Sequence, residues 1–187
     1  MLLAPLVLAC ARDPDPSAID DAVRISVALR GVHPSPEELE GLTRDAGSLE
    51  ELARRWVVDP RFGTVMRDLH AEQLLLRIDT QPHPPPMGPL AGVGEGTLTA
   101  SLDEEPLRLI EKVVTDGRPY GEILTTPTTM ADANVAAVWG LPWDPAGPEW
   151  QEVAWEDGRP AAGLLATNGF WQRFQSSEQN RHRTRTA

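Results

Sequence analysis

The sequence predicts a mainly α fold, an irregular multi-helix bundle with long Pro/Gly-rich loops. Three observations carry this expectation: apolar residues recur at helical spacing, Ser or Asp followed by Pro or acidic residues repeatedly marks helix starts, and 18 prolines and 15 glycines interrupt the helical patterns. A chain of 187 residues is long enough to bury a real core. The expected organisation is a leader and polar tether over 1–16, an N-terminal helical part over 17–79, a loop over 80–100, a second helical part over 101–175 and a polar, basic tail over 176–187.

The first residues, MLLAPLVLA, are apolar, and Val7, Leu8, Ala9 and Cys10 have the form of a bacterial lipobox. Cleavage before Cys10 and its lipidation would make the chain an exported lipoprotein held to the membrane by its anchor. No later run reaches the ~18 apolar residues needed to span a bilayer. Cys10 is the one cysteine, so a disulfide within the chain and an all-cysteine metal site are both excluded.

After a tether, Ser17 is placed to cap a helix through about Leu29, with Ile19, Ala22, Val23 and Val27 inward and Gly31 closing it. Ser35, Pro36, Glu37 and Glu38 form a capping box, and Leu39 and Leu42 supply a narrow apolar face before Gly47. Ser48 opens the next helix, with Leu49, Leu52 and Trp56 inward. Asp59 and Pro60 then start what reads as the longest helix, over 59–79, whose stripe is Phe62, Val65, Met66, Leu69 and Leu76. Leu74, Leu75 and Ile78 widen that stripe, so the C-terminal end should be the more deeply buried.

Residues 80–100 read as loop, partly polyproline-like, and the Gly92, Gly94, Gly96 string lacks the strand-turn-helix setting of a phosphate loop. Ser101, Asp103 and Glu104 are expected to open a helix that buries Leu107, Ile110, Val113 and Val114 and stops at Gly117. A helical turn over 119–124, a loop over 125–129 and a helix over 131–139 follow. WQEVAW, before the turn-forming Asp157 and Gly158, reads as a strand of one short β-hairpin, and a last helix is expected over 161–174.

Two clusters are candidate sites. His70, Gln73 and Arg77 share one side of the long helix at spacings of three and four, readable as a polar site or as satisfied core groups. Trp143, Trp150 and Trp155 lie in a tryptophan-rich segment that forms either a small core or an aromatic platform for a glycan or a protein partner. Asp68 and Glu72, one turn apart, read as a solvated face opposite His70 and Arg77. His33, His70, His83 and His182 show no ligand-like spacing, and no sequence-local signature of a zinc hydrolase, nucleotide site, serine hydrolase or CxxCH haem site occurs, so no cofactor is expected in this chain. A net charge of -11 disfavours nucleic acid as a partner despite the basic NRHRTRTA end.

RISVALRGVHPSPEELE, DPRFGTVMRDLHAEQLLLR, EEPLRLIEKVV with DGRPYGEI, and AAVWGLPWDPAGPEW running into DGRPAAGLLATNGFWQR extend over most of residues 24–175. In these segments and their order the chain resembles the planctomycete cytochrome c-associated family of domains of unknown function. The resemblance implies an exported, mainly helical protein that accompanies c-type haem modules, and it carries over no catalytic residue. Such proteins continue past the equivalent of Gln172, so the resemblance also implies a truncated chain. The resulting expectation is a noncatalytic cell-envelope binding or assembly module; the alternative is a fragment of a hydrolase or redox enzyme whose site needs further C-terminal sequence.

Overall fold

The computed structural model describes residues 16–44, 48–78 and 85–174. Cys10, His83, His182 and the basic tail lie outside them. The fold is mainly α, with seven α-helices and a two-stranded antiparallel sheet among the described residues. The chain divides into two compact units, 1–65 and 66–187.

In the first unit, α1 (Pro16–Arg30), α2 (Pro36–Arg44) and α3 (Leu49–Val57) bury Ala22, Leu42, Leu52 and Trp56 as a common core. The Ser35–Glu38 capping box is formed: the Glu38 N–H donates to Ser35 Oγ at 3.2 Å and the Ser35 N–H to Glu38 Oε2 at 2.8 Å. Glu38 also accepts from Trp56 Nε1 at 2.7 Å and from Arg30 Nη2 at 3.0 Å. The Arg30 guanidinium lies 4.6 Å from the Trp56 ring centre and donates to Ser26 Oγ at 2.7 Å. The inward face of α1 is therefore turned toward Ser26 and Arg30, and Val27, expected inside, is 43% exposed.

Helix α4 (Pro60–Gln73) stops short of the expected Asp79. Leu75 takes a left-handed φ of 54°, the Leu76 N–H bonds the Ala71 carbonyl at 3.0 Å and the Leu75 N–H bonds that of Glu72 at 3.3 Å. This is a Schellman ending with leucine where glycine is usual. Its accompanying apolar contact is present, since Leu76 and Ala71 are buried together with Leu107. The reversal leaves Leu75 and Ile78 exposed, contrary to the expectation that this end lies deepest.

The second unit is built on α5 (Glu95–Thr115), which at 21 residues is longer than α4 at 14. It begins after Gly94, two turns before the expected start, because Leu98 and Leu102 extend its buried stripe N-terminally to meet Ala131, Val135, Ala136 and Val153. Ser101 consequently lies inside the helix, donating to Asp132 Oδ2 at 2.6 Å and accepting from Asn134 Nδ2 at 2.9 Å. A second cluster holds Leu109, Ile110, Val113, Ile123, Met130 and Leu164. Pro106 sits within α5 and deprives the Leu102 carbonyl of its helical donor. Gly169 packs at that point: a Cβ there would come 2.5 Å from the Leu102 oxygen and 3.0 Å from Asp103 Cα.

Strand β1 (Thr128–Ala131) pairs with β2 (Gln151–Ala154), Thr129 opposite Val153. The partner of WQEVAW is thus a strand upstream of it, across α6 (Ala133–Trp139), and not a hairpin neighbour after Gly158. Residues 125–129, expected as loop, supply part of β1. Helix α6 is capped by Asp132, whose Oδ1 accepts the Val135 N–H at 2.8 Å, and ends at Gly140 with φ 67°. The last predicted helix is divided into a 3-10 turn, Gly163–Ala166, and α7 (Asn168–Arg173), separated by the fully buried Thr167.

Candidate functional site

The polar trio of α4 does not converge. His70 is buried, its Nδ1–H donating to the Met66 carbonyl at 2.7 Å. In that tautomer Nε2 accepts from the Tyr120 hydroxyl, 2.6 Å away, so both ring nitrogens are engaged. Gln73 is exposed. Arg77, carried round by the left-handed Leu75, pairs with Glu104 at 2.6 Å and with Asp68 at 2.5 Å. Burial disfavours the Arg77 charge, and the hydrogen bonds Arg77 donates to Asp68 and Glu104 outweigh it, raising its pKa. Asp68 therefore lies on the Arg77 side and not opposite it, because the helix has ended before Arg77 is reached; Glu72 remains exposed.

The tryptophans do not form one group. Trp143 and Trp150 pack, together with Trp139, against the Leu98–Leu102 core, and Trp150 also touches the Ile110 cluster. Trp143 Nε1 donates to the Glu149 carbonyl at 3.3 Å, and the Arg108 guanidinium lies 5.4 Å from the Trp150 ring centre. The proposed platform of Trp143, Trp150 and Trp155 is not one surface, because two of its members are spent on packing. Trp155 instead meets Trp139 edge-to-face, ring centres 5.3 Å apart.

These two indoles hold Arg159. Its guanidinium lies 3.8 Å from the Trp155 ring centre and 4.4 Å from that of Trp139. Asp157, two residues earlier in the turn, accepts from Arg159 Nε at 2.8 Å and from the Arg159 backbone N–H at 3.1 Å. Arg159 holds the Asp157 carboxyl below the usual carboxylate range, chiefly through its side-chain hydrogen bonds. An open pocket of about 490 Å³ lies over this arrangement, lined by Trp139, Asp157, Arg159, Pro160, Leu165 and Trp171 among others. Trp171, 43% exposed, also borders a cleft of about 170 Å³ with Leu165, Phe170 and Phe174.

Behind Trp139 and Arg159 is Glu105, fully buried. Its Oε1 accepts from Thr129 Oγ1 at 2.9 Å and its Oε2 from the Asn168 backbone N–H at 3.0 Å. Burial pushes its pKa up from 4.5 to about 7, and support from Asn168, Thr129, Trp139 and the Arg159 charge recovers only part of that cost. The Trp139 indole N–H makes no hydrogen bond of normal geometry among the described residues, so its help to the carboxylate is weak.

Glu105 is the residue sequence reasoning missed. The expected helix opens at Ser101, Asp103 and Glu104, and Glu105 directly follows that acidic opening. Once Leu98 joins the helix, Glu105 falls on the Leu98–Leu102–Leu109 stripe, and a carboxylate on an apolar stripe was the available signal. Arg159 follows the turn-forming Asp157 and Gly158, and nothing local to the sequence marks it as more than a turn residue. Among the described residues, no group of three or more His, Cys, Asp and Glu is placed to hold a metal ion, and no helix is long and apolar enough to cross a membrane. No known protein family, curated protein or solved structure matches this chain.

Proposed function

We propose that this chain is a noncatalytic binding or assembly module of the bacterial cell envelope, exported and lipidated at Cys10, and working beside c-type cytochrome systems. The lipobox supports the location, and the family resemblance supports the association. Binding is assigned to the pocket over Trp139, Arg159 and Trp171. The observation that carries this is the pocket's make-up: about 490 Å³ walled by indole, proline and aliphatic surface, with one pre-paired cation and anion at its side. Concave apolar surface with a few fixed polar groups is what a ligand site needs, and a side chain stacked between rings costs little entropy to use.

The alternative, an enzyme fragment, draws on Glu105, because a carboxyl with a pKa of about 7 is in the range of a general acid. Its accessibility is 0% and both oxygens are held from inside, so a molecule in the pocket touches Trp139 and Arg159 and not the carboxyl. Screening the full chain and its Trp171→Ala variant against small molecules by saturation-transfer NMR tests the binding reading. Expected hits bind the parent, lose binding in the variant and are recovered chemically unchanged. Hits indifferent to Trp171 would overturn the pocket assignment, and chemical conversion of a hit would favour the enzyme reading.

A further inference from the structure

We propose that this pocket takes a neutral saccharide, one ring laying its C–H face on the exposed indole of Trp171 and directing hydroxyls to the Asp157–Arg159 pair. The proposal rests on the reading that this pocket is the chain's binding site, and charge narrows the ligand. Asp157 is 52% exposed at its side chain and stays ionised against Arg159, 22% exposed. A carboxylate or phosphate ligand drawn to Arg159 meets Asp157 at the same edge, and a cationic ligand drawn to Asp157 meets Arg159. The chain's net charge of -11 further opposes an anion.

What the pair offers together is donor and acceptor side by side. Arg159 spends Nε and Nη2 on Asp157, and its Nη1 makes no hydrogen bond among the described residues. The carboxylate oxygens accept and the guanidinium donates, the complement of two adjacent hydroxyls, each of which does both. Stacking on Trp139 and Trp155 prevents the guanidinium from swinging away to water. The remaining walls, Pro160 and Leu165, carry no charge and suit the apolar faces and edges of a sugar ring. Trp171 is held in place by its Nε1–H, which donates to the Leu165 carbonyl, so the indole is fixed before a ligand arrives.

Isothermal titration of the full chain with xylo-, manno-, cello- and chitohexaose, and with hexagalacturonate as the anionic counterpart, tests this. At least one neutral hexasaccharide is expected to bind saturably, with affinity falling roughly tenfold or more in Trp171→Ala and in Asp157→Asn. Asp157 is half exposed and outside both cores, so Asp157→Asn keeps the test informative if Trp171→Ala disturbs α7. Hexagalacturonate is expected to bind at least about tenfold more weakly. Absence of binding by all four neutral sugars overturns the saccharide assignment. Binding of hexagalacturonate alone, lost in Trp171→Ala, also overturns it while leaving the pocket as the binding site. Saccharide binding indifferent to both substitutions overturns the pocket reading itself.

Discussion

Replacing Glu105 by glutamine tests whether a titrating carboxyl is buried in the centre of the second unit. The folded chain holds this group at a pKa of about 7 against an ordinary 4.5. Because the folded value is the higher, the stability associated with the protonated form is complete below pH 4.5 and is lost as pH rises through 7. Two and a half pH units at about 1.4 kcal/mol each amount to roughly 3–4 kcal/mol in full, of which about 3 kcal/mol develops between pH 4.5 and pH 8. Glutamine keeps the neutral shape: its oxygen accepts the Asn168 N–H, and its amide donates to Thr129 Oγ1, which then reverses its role. Urea unfolding followed by tryptophan emission reads the effect, since five of the six tryptophans, all but Trp56, belong to this unit. The variant should gain on the parent by about 3 kcal/mol between pH 4.5 and pH 8. A parent-to-variant difference that stays constant over that interval would refute the reasoning, because Glu105 would then keep one charge state throughout.

Three further outcomes follow from local geometry. Gly169→Ala places a methyl 2.5 Å from the Leu102 carbonyl, between backbones that cannot yield; a loss of about 2 kcal/mol in urea unfolding is expected, and an unchanged midpoint would mean that α7 does not pack this closely on α5. Leu75→Gly relieves a left-handed φ of 54° at a 40% exposed side chain and should raise stability by about 1 kcal/mol; destabilisation would contradict the Schellman ending of α4. For Glu38, burial raises the pKa, but hydrogen bonds from Trp56, Arg30 and the Ser35 N–H prevail and lower it to about 2. Its stabilising effect is therefore present above pH 4.5 and lost as pH falls toward 2, so acid should release Trp56 emission before that of the second unit, and Glu38→Gln should abolish this acid dependence.

How far the fold was legible depended on where the information lay. Capping at Ser35–Glu38 is local chemistry, and the sequence shows it directly because the cap is made by residues within three positions. The end of α4 was misread because Leu75 occupies a position where glycine usually marks the stop, leaving the apolar pattern running past the true end. The start of α5 was misread for the opposite reason: Ser101 carries the signature of a cap, but burial of Leu98 and Leu102 prolongs the helix beyond it. That error hid Glu105, whose position on an apolar stripe depends on where the helix begins. Pairing of β1 with β2 depends on α6 lying between them, and no local pattern encodes it. The candidate trio failed with the helix geometry that had placed it, since Arg77 lies beyond the reversal. Among the tryptophans, composition showed a concentration but not its division: packing commits Trp143 and Trp150 to the core and leaves Trp171 exposed at the pocket, while Trp139 packs on the core and lines the pocket as well.

That division is the claim on which the functional reading stands. The chain has six indole N–H groups, and a ¹⁵N–¹H spectrum that resolves them during titration with the tightest-binding neutral hexasaccharide measures it directly. The account predicts that the Trp171 signal moves most and Trp139 follows, while Trp143, Trp150 and Trp56 hold their positions to saturation. Movement centred on Trp143 and Trp150, with Trp171 unmoved, would contradict it.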